Sequence, residues 1–238
     1  MSMTRSQLAS MIDHTLLKPE ATVGQIDKLC DEALQFGFAA VCVNPIHVKQ
    51  AARRLRDSQT CVAAVAGFPL GASLTEIKVA ESRRAIDDGA LEIDMVLRVG
   101  DLIAGEANAV RDDIAAVAEA VHAASAKHLL KVIFETAALT DEQIILGCKL
   151  CGEAKADYVK TSTGFHPDGG ATVHAVRLMR QHAAPLKMKV KAAGGIRNLT
   201  MAEAMINAGA SRIGMSAGVK VMKGIPIRFE RPPGRYAI

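Results

Sequence analysis

The stretch "TEIKVAESRRAIDDGALEIDMVL", residues 75–97, reads as a helix and a strand joined at a glycine. Its first part carries helical spacing of apolar residues, and Gly89 stands where a glycine terminates a helix just before the next element. The run after it is short and apolar. Successive strand residues face opposite sides, so Ile93 and Met95 form one face while Glu92 and Asp94 form the other.

The same unit recurs outward in both directions. Further strand candidates are "MIDHTLL", "AAVCVNP", "TCVAAVAGF", "LLKVIFET", "DYVKTS", "MKVKAAGG" and "SRIGMS", separated by helical patterns such as "LTDEQIILGCKLCGEAKA". With "LEIDMVL" they make eight strands alternating with helices. That count predicts a closed parallel (β/α)8 TIM barrel. An open doubly wound sheet is the competitor, and the expected G-x-G-x-x-G turn is missing after the first strand, "IDHTLLKPEATVG". No linker divides the chain, so one domain is expected over residues 1–238, with an irregular tail from about residue 224.

Composition narrows the function classes. The chain has 238 residues, 50% hydrophobic and 23% charged, which suits a sizeable core and excludes a disordered protein. No apolar run approaches the roughly 18 residues of a membrane span, and the first residues lack the apolar core of a secretion signal. Five scattered cysteines fit a reducing cytoplasm rather than a disulfide framework. Cys148 and Cys151 form a lone C-x-x-C on a helical pattern, with no second pair to complete a metal site, and read as a buried helix face. The net charge of +4, two tyrosines and no tryptophan give little basis for nucleic-acid binding.

Splitting every strand by face sharpens the picture. Ile12, Leu16, Val41, Val43, Ile93, Met95, Leu130, Val132, Phe134, Val159, Val190, Ile213 and Met215 form an apolar set that packs against helices. The opposite set holds Asp13, Thr15, Cys42, Asn44, Glu92, Asp94, Lys131, Glu135, Lys160, Lys189, Lys191, Arg212 and Ser216. A purely structural barrel fills its interior with branched apolar side chains. Here Glu92 and Lys189 lie early in their strands and read as structural. Lys160, Asp94 and Lys191 lie late, at the end where such barrels carry chemistry.

A lysine there must be paired, neutralised or used. At an ordinary pKa of about 10.4, roughly one lysine in 2,500 is neutral at pH 7; lowering it by about three units makes roughly a quarter neutral, at a cost near 4 kcal/mol. Burial and a second cation supply such a shift, and Lys191 is the available cation for Lys160. A neutral lysine attacks a carbonyl to form a Schiff base, an electron sink for making or breaking the adjacent carbon–carbon bond, with Asp94 as a proton shuttle. The loops "AAGGIRN" and "GMSAGV" follow the seventh and eighth strands, where barrels of this kind hold phosphate, and "TSTG" follows Lys160.

These residues also resemble the 2-deoxyribose-5-phosphate aldolases. The likeness runs in order through "IDHTLLKPEAT", "VCVNP", "VAGFPLG", "EIDMVL", "LKVIFET", "DYVKTSTGF", "VKAAGGIR" and "RIGMSAG". It implies a class I lyase that reversibly splits 2-deoxy-D-ribose 5-phosphate into acetaldehyde and D-glyceraldehyde 3-phosphate, with no metal or organic cofactor. On this sequence it implies Lys160 as the Schiff-base lysine, Lys191 as the cation that depresses its pKa, and Asp94 as their partner in proton transfer. Phosphate would be held around Thr163, Gly164, Gly194, Gly195, Gly214 and Ser216, with Asp13, Cys42 and Lys131 as supporting inward residues. It further implies phosphosugar and small aldehyde substrates and a homo-oligomer, a dimer or tetramer.

The chain departs from the family pattern at Ala217, where many members have a second serine, and at Arg98, where asparagine is common. Tyr236 near the carboxyl end is assigned no role. Two rival readings are a phosphosugar epimerase or isomerase working without a Schiff base and a phosphate-binding barrel without turnover.

Overall fold

The structure, a computed structural model, describes residues 3–224. The tail from about residue 224 and Tyr236 within it lie outside the described residues beyond that point.

The chain alternates strands and helices. A short α1 (Arg5–Ala9) leads into β1 (Ile12–Leu16), α2 (Val23–Phe36), β2 (Ala40–Val43), α3 (Val48–Arg54), β3 (Cys61–Ala66), α4 (Thr75–Asp87) and β4 (Glu92–Val96). Then come α5 (Val99–Ala104), α6 (Ala107–Ala124), β5 (Leu129–Ile133), α7 (Asp141–Glu153), β6 (Tyr158–Lys160), α8 (Val173–Ala183), β7 (Lys189–Ala193), α9 (Leu199–Asn207), β8 (Arg212–Met215) and α10 (Gly218–Lys223). The strands close into one parallel barrel in the order β1 to β8, with β8 pairing β1. This is the (β/α)8 barrel expected, and the open sheet is excluded.

Local chemistry sets the boundaries. Thr22 and Gln25 form a reciprocal capping box at the start of α2, and Thr140 and Gln143 do the same for α7. At its other end α2 stops at Gly37, whose φ of +70° is the left-handed conformation that glycine adopts without strain. Gly89, the junction in the opening stretch, has φ +109°.

The main core lies between the sheet and the helices. Every member of the apolar strand face but Leu16, which is half-buried and packs against its edge, belongs to it, together with Ile26, Leu29, Val117, Val121, Met179 and Cys148 and Cys151 of α7. Burying a Val, Ile, Leu or Phe side chain contributes about 1.5–3 kcal/mol, so this layer fixes which strand face turns inward. Inside the barrel a second, smaller cluster of Leu17, Ala40, Cys42, Ala63 and Val65 fills the β1–β3 side. Asp13 of β1 and the charged residues of β4 to β8 other than the exposed Lys189 occupy the rest.

Among the described residues, a buried ion pair also lies outside the barrel. Lys78 Nζ on α4 donates to Asp113 on α6 at 2.7 Å, Thr75 donates to the other oxygen of Asp113 at 2.8 Å, and Lys78 is wholly buried. The neighbouring Arg83 and Arg84 are exposed, as a solvated face requires.

Candidate active site

The parallel register brings the site together. Lys160 closes β6 and pairs with Lys191 of β7, which in turn pairs with Arg212 of β8. On the other side Asp94 of β4 pairs with Lys131 of β5. All four central side chains are removed from solvent: Asp94, Lys131 and Lys191 are completely buried and Lys160 nearly so.

Asp94 is the hub. Its Oδ2 accepts from Lys160 Nζ at 2.6 Å and from Lys191 Nζ at 2.7 Å, while Oδ1 accepts from Lys131 Nζ at 2.7 Å. Asp13 takes a second hydrogen bond from Lys191 and, on its other oxygen, one from Arg212 at 2.7 Å. Glu92 lies 2.6 Å from Lys131 and accepts from both terminal nitrogens of Arg212, at 3.2 and 3.0 Å.

Lys160 differs from its neighbours in the direction of its pKa. Burial is the largest influence and lowers its pKa, Asp94 pulls it back up, and Lys191 adds to the lowering; the balance is a depressed value. Lys131 and Lys191 are also penalised by burial, but contacts with Asp94, with Asp13 and, for Lys131, with Glu92 raise both above the ordinary lysine value. Burial pushes Asp13 up, yet Lys191, Arg212 and Lys131 outweigh it and hold the carboxyl at about 2. Cys42, facing the same interior, has its thiol pushed up by burial, which suits a packing role rather than a nucleophile.

The hydroxyls after Lys160 pin the ends of three strands. Thr161 Oγ1 donates to the Ala193 carbonyl at 2.9 Å and accepts from the Ala193 amide at 3.0 Å. Ser162 Oγ lies 3.5 Å from Thr136 Oγ1. Thr163 donates its hydroxyl proton to Glu135 and accepts from the Phe165 amide at 3.0 Å. Glu135 itself is held in the left-handed region, φ +60°.

The residues assigned to phosphate cluster in part. Gly164, Gly194 and Gly195 all have positive φ, and a side chain on Gly164 would sit 3.6 Å from the Cα of Gly194, so the loops after β6 and β7 meet there. Gly214 is buried on β8, and a Cβ on it would lie 2.9 Å from the Cβ of Ala193 and 3.1 Å from Cε of Lys191. Ser216 is exposed at the barrel's carboxyl end. Thr163 is committed to Glu135 through its hydroxyl proton, a partnership between two loops that no local sequence signal announces.

Three further features concern residues that flank the barrel's two ends. Phe68, after β3, and Phe165, after β6, meet edge to face with ring centroids 5.3 Å apart. Arg98 pairs with Asp101 at 2.5 Å in the first turn of α5, a relation that i,i+3 spacing could have suggested. Lys189 is exposed at the start of its strand and lies 5.7 Å from the Tyr158 ring, without an ion pair among the described residues.

Residues 7–224 match the family described as DeoC/LacD family aldolase. The chain belongs to the DeoC/LacD aldolase family. A curated member from Thermococcus kodakarensis, named deoxyribose-phosphate aldolase, is 53% identical over 226 residues, covering 94% of this chain and 99% of the relative. Another of the same name from Brevibacillus brevis is 55% identical over 213 residues, covering 90% and 94%. Among solved structures, the deoxyribose phosphate aldolase of Aeropyrum pernix, described as having a unique tetrameric structure, superposes with a TM-score of 0.85 at 33% identity, covering 92% of this chain and 91% of that one.

Proposed function

We propose that this chain is a deoxyribose-phosphate aldolase, a carbon–carbon lyase that cleaves 2-deoxy-D-ribose 5-phosphate through a Schiff base on Lys160. The observation that carries the mechanism is the position of Lys160: buried, at the carboxyl end of β6, 2.6 Å from Asp94, with its pKa depressed. Curated relatives of that name covering over nine-tenths of the chain support the activity.

In this reading the neutral Lys160 amine attacks the aldehyde carbon of the open-chain sugar. Loss of water from the carbinolamine leaves an iminium conjugated to the bond that breaks. A base removes the proton of the 3-hydroxyl, the bond to carbon 2 cleaves, and D-glyceraldehyde 3-phosphate departs while the electron pair forms an enamine on Lys160. Protonation of that carbon returns an iminium, and hydrolysis releases acetaldehyde and the amine. Asp94 and Lys191 share a hydrogen bond beside Lys160 and are assigned the proton transfers. Asp13, Cys42 and Lys131 support them, and Thr163, Gly164, Gly194, Gly195, Gly214 and Ser216 are assigned to the phosphate; in the structure both the hydroxyl and the amide of Thr163 donate to Glu135, so a phosphate there would compete with that carboxylate.

The protein is read as one barrel domain acting in the cytoplasm, in deoxyribose phosphate breakdown, as a homo-oligomer. Five free cysteines and the tetramer of the Aeropyrum pernix relative support this, and no helix among the described residues is long and apolar enough to cross a membrane. Release of glyceraldehyde 3-phosphate from 2-deoxyribose 5-phosphate, followed through a coupled dehydrogenase, tests the activity. Release by wild type and its loss in Lys160→Leu are expected; turnover in the variant above about a thousandth of wild type contradicts the assignment. Light scattering of the purified protein tests the assembly.

A further inference from the structure

The interior of the barrel can be counted as a set of charges. Three carboxylates, Asp13, Glu92 and Asp94, face Lys131, Lys191 and Arg212, each joined to at least one of them by hydrogen bond or ion pair. Those six groups sum to zero. Lys160 is the seventh member, and the set is neutral only when its amine carries no proton. Elsewhere around the interior the groups that could alter this sum take no part. Cys42 of β2 and Cys61 of β3 are thiols, and the Cys61 value is pushed up to about 12, chiefly by burial. Tyr158 of β6 lies beneath the Arg212 guanidinium, 6.0 Å from ring centroid to carbon. Glu135, just after β5, is turned to Thr163, and Lys189 of β7 is exposed.

Glu92 and Arg212 differ from the others. Neither contacts Lys160, and both lie at the amino ends of their strands. Arg212 links Asp13 to Glu92, and Glu92 links Arg212 to Lys131, so the pair closes the network behind the catalytic groups. We infer that Glu92 and Arg212 are positioning residues that set the protonation of Lys160 by completing the neutral charge balance of the barrel interior. Chains of direct contacts, Glu92–Lys131–Asp94 and Arg212–Asp13–Lys191–Asp94, join them to Lys160 and place each charge within about 10 Å of its amine. At an effective dielectric of about 20, one unit charge at that distance moves a pKa by about one unit.

This inference rests on Lys160 being the Schiff-base lysine, and the test separates the two. Wild type, Glu92→Gln, Arg212→Met and the double variant are mixed with acetaldehyde across pH, quenched into borohydride, and the adduct at Lys160 is counted by peptide mass. An adduct in wild type upholds the Schiff-base reading whether or not the variants shift the pH profile. The midpoint of the rate profile is expected to rise by about one pH unit in Arg212→Met, where the network gains net negative charge, and to fall by about one in Glu92→Gln. The double variant returns it to within about 0.3 of wild type. Opposite shifts that cancel are not produced by general loosening of the fold. Singles that keep the wild-type midpoint, or that shift it in the same direction, overturn the inference. Where a single variant does not fold, the double variant decides: a folded double variant with the wild-type midpoint supports the charge balance, and a double variant that also fails to fold, or folds with a shifted midpoint, overturns it.

Discussion

The side-chain nitrogens of Lys160 and Lys191 converge on one carboxylate oxygen, Oδ2 of Asp94, at 2.6 and 2.7 Å. The two lysines are register partners on adjacent strands, so their proximity is dictated by the backbone ladder. Lys191 has a second carboxylate, Asp13, and holds its proton; Lys160 has only the shared oxygen, and burial prevails.

Replacing Lys191 by Leu removes a like charge from beside Lys160 and one of two cations from Asp94 Oδ2. The pKa of Lys160 then rises, so the amine reaches its neutral form later. The acidic limb of kcat/KM against pH should move to higher pH by about one to two units. kcat should also fall, because a proton-transfer partner is lost. A limb that stays in place counts against the electrostatic part of the account.

Gly214 to Ala tests a quieter relationship. The new methyl would stand 3.1 Å from Cε of Lys191 and 2.9 Å from the Cβ of Ala193, closer than such carbons pack, so the end of β7 and the Lys191 chain it carries must give by a few tenths of an ångström, which disturbs the alignment of its amine on Asp13 and Asp94. About tenfold or greater loss is expected in kcat, with KM for the phosphorylated substrate changing less. A pure KM effect would assign Gly214 to phosphate alone.

Legibility in the sequence differs by residue. The alternation of Ile93 and Met95 against Glu92 and Asp94 is a local pattern, and closure of the barrel turns the second set inward as that pattern predicts. Lys160 is conspicuous for the same reason: a lysine at the end of an apolar strand. Thr163 follows it in a phosphate-like loop, but its hydroxyl serves Glu135, a contact between loops after different strands. Lys78 is equally hidden, since its partner Asp113 lies on another helix and only the packing of α4 on α6 shows that both are buried. The small residues Ala63 and Val65 lining the β1–β3 side carry no chemistry and leave no mark in the sequence.

Acid should unfold the protein in a defined window. The carboxyl of Asp13 sits at about 2 in the folded state against an ordinary 3.8, so the folded protein binds fewer protons than the unfolded chain between those values. The stabilisation is complete above about pH 4 and lost as pH falls toward 2, amounting to about 2 kcal/mol from this group. Asp94, also held well below the ordinary value, adds to the loss. Denaturant midpoints measured from pH 6 to pH 2 should fall steeply only below about pH 4. A flat profile to pH 2 would remove the buried ion pairs from the account of stability.

The central claim is that Lys160 is the nucleophile. Wild type and Lys160→Leu are each incubated with acetaldehyde, reduced with borohydride, digested and analysed by mass. The account predicts an ethyl group on Lys160 of the wild type, none elsewhere at comparable yield, and no adduct in the variant, whose circular dichroism stays that of the wild type. An unmodified Lys160, or an adduct carried chiefly by Lys191 or Lys131, would contradict it.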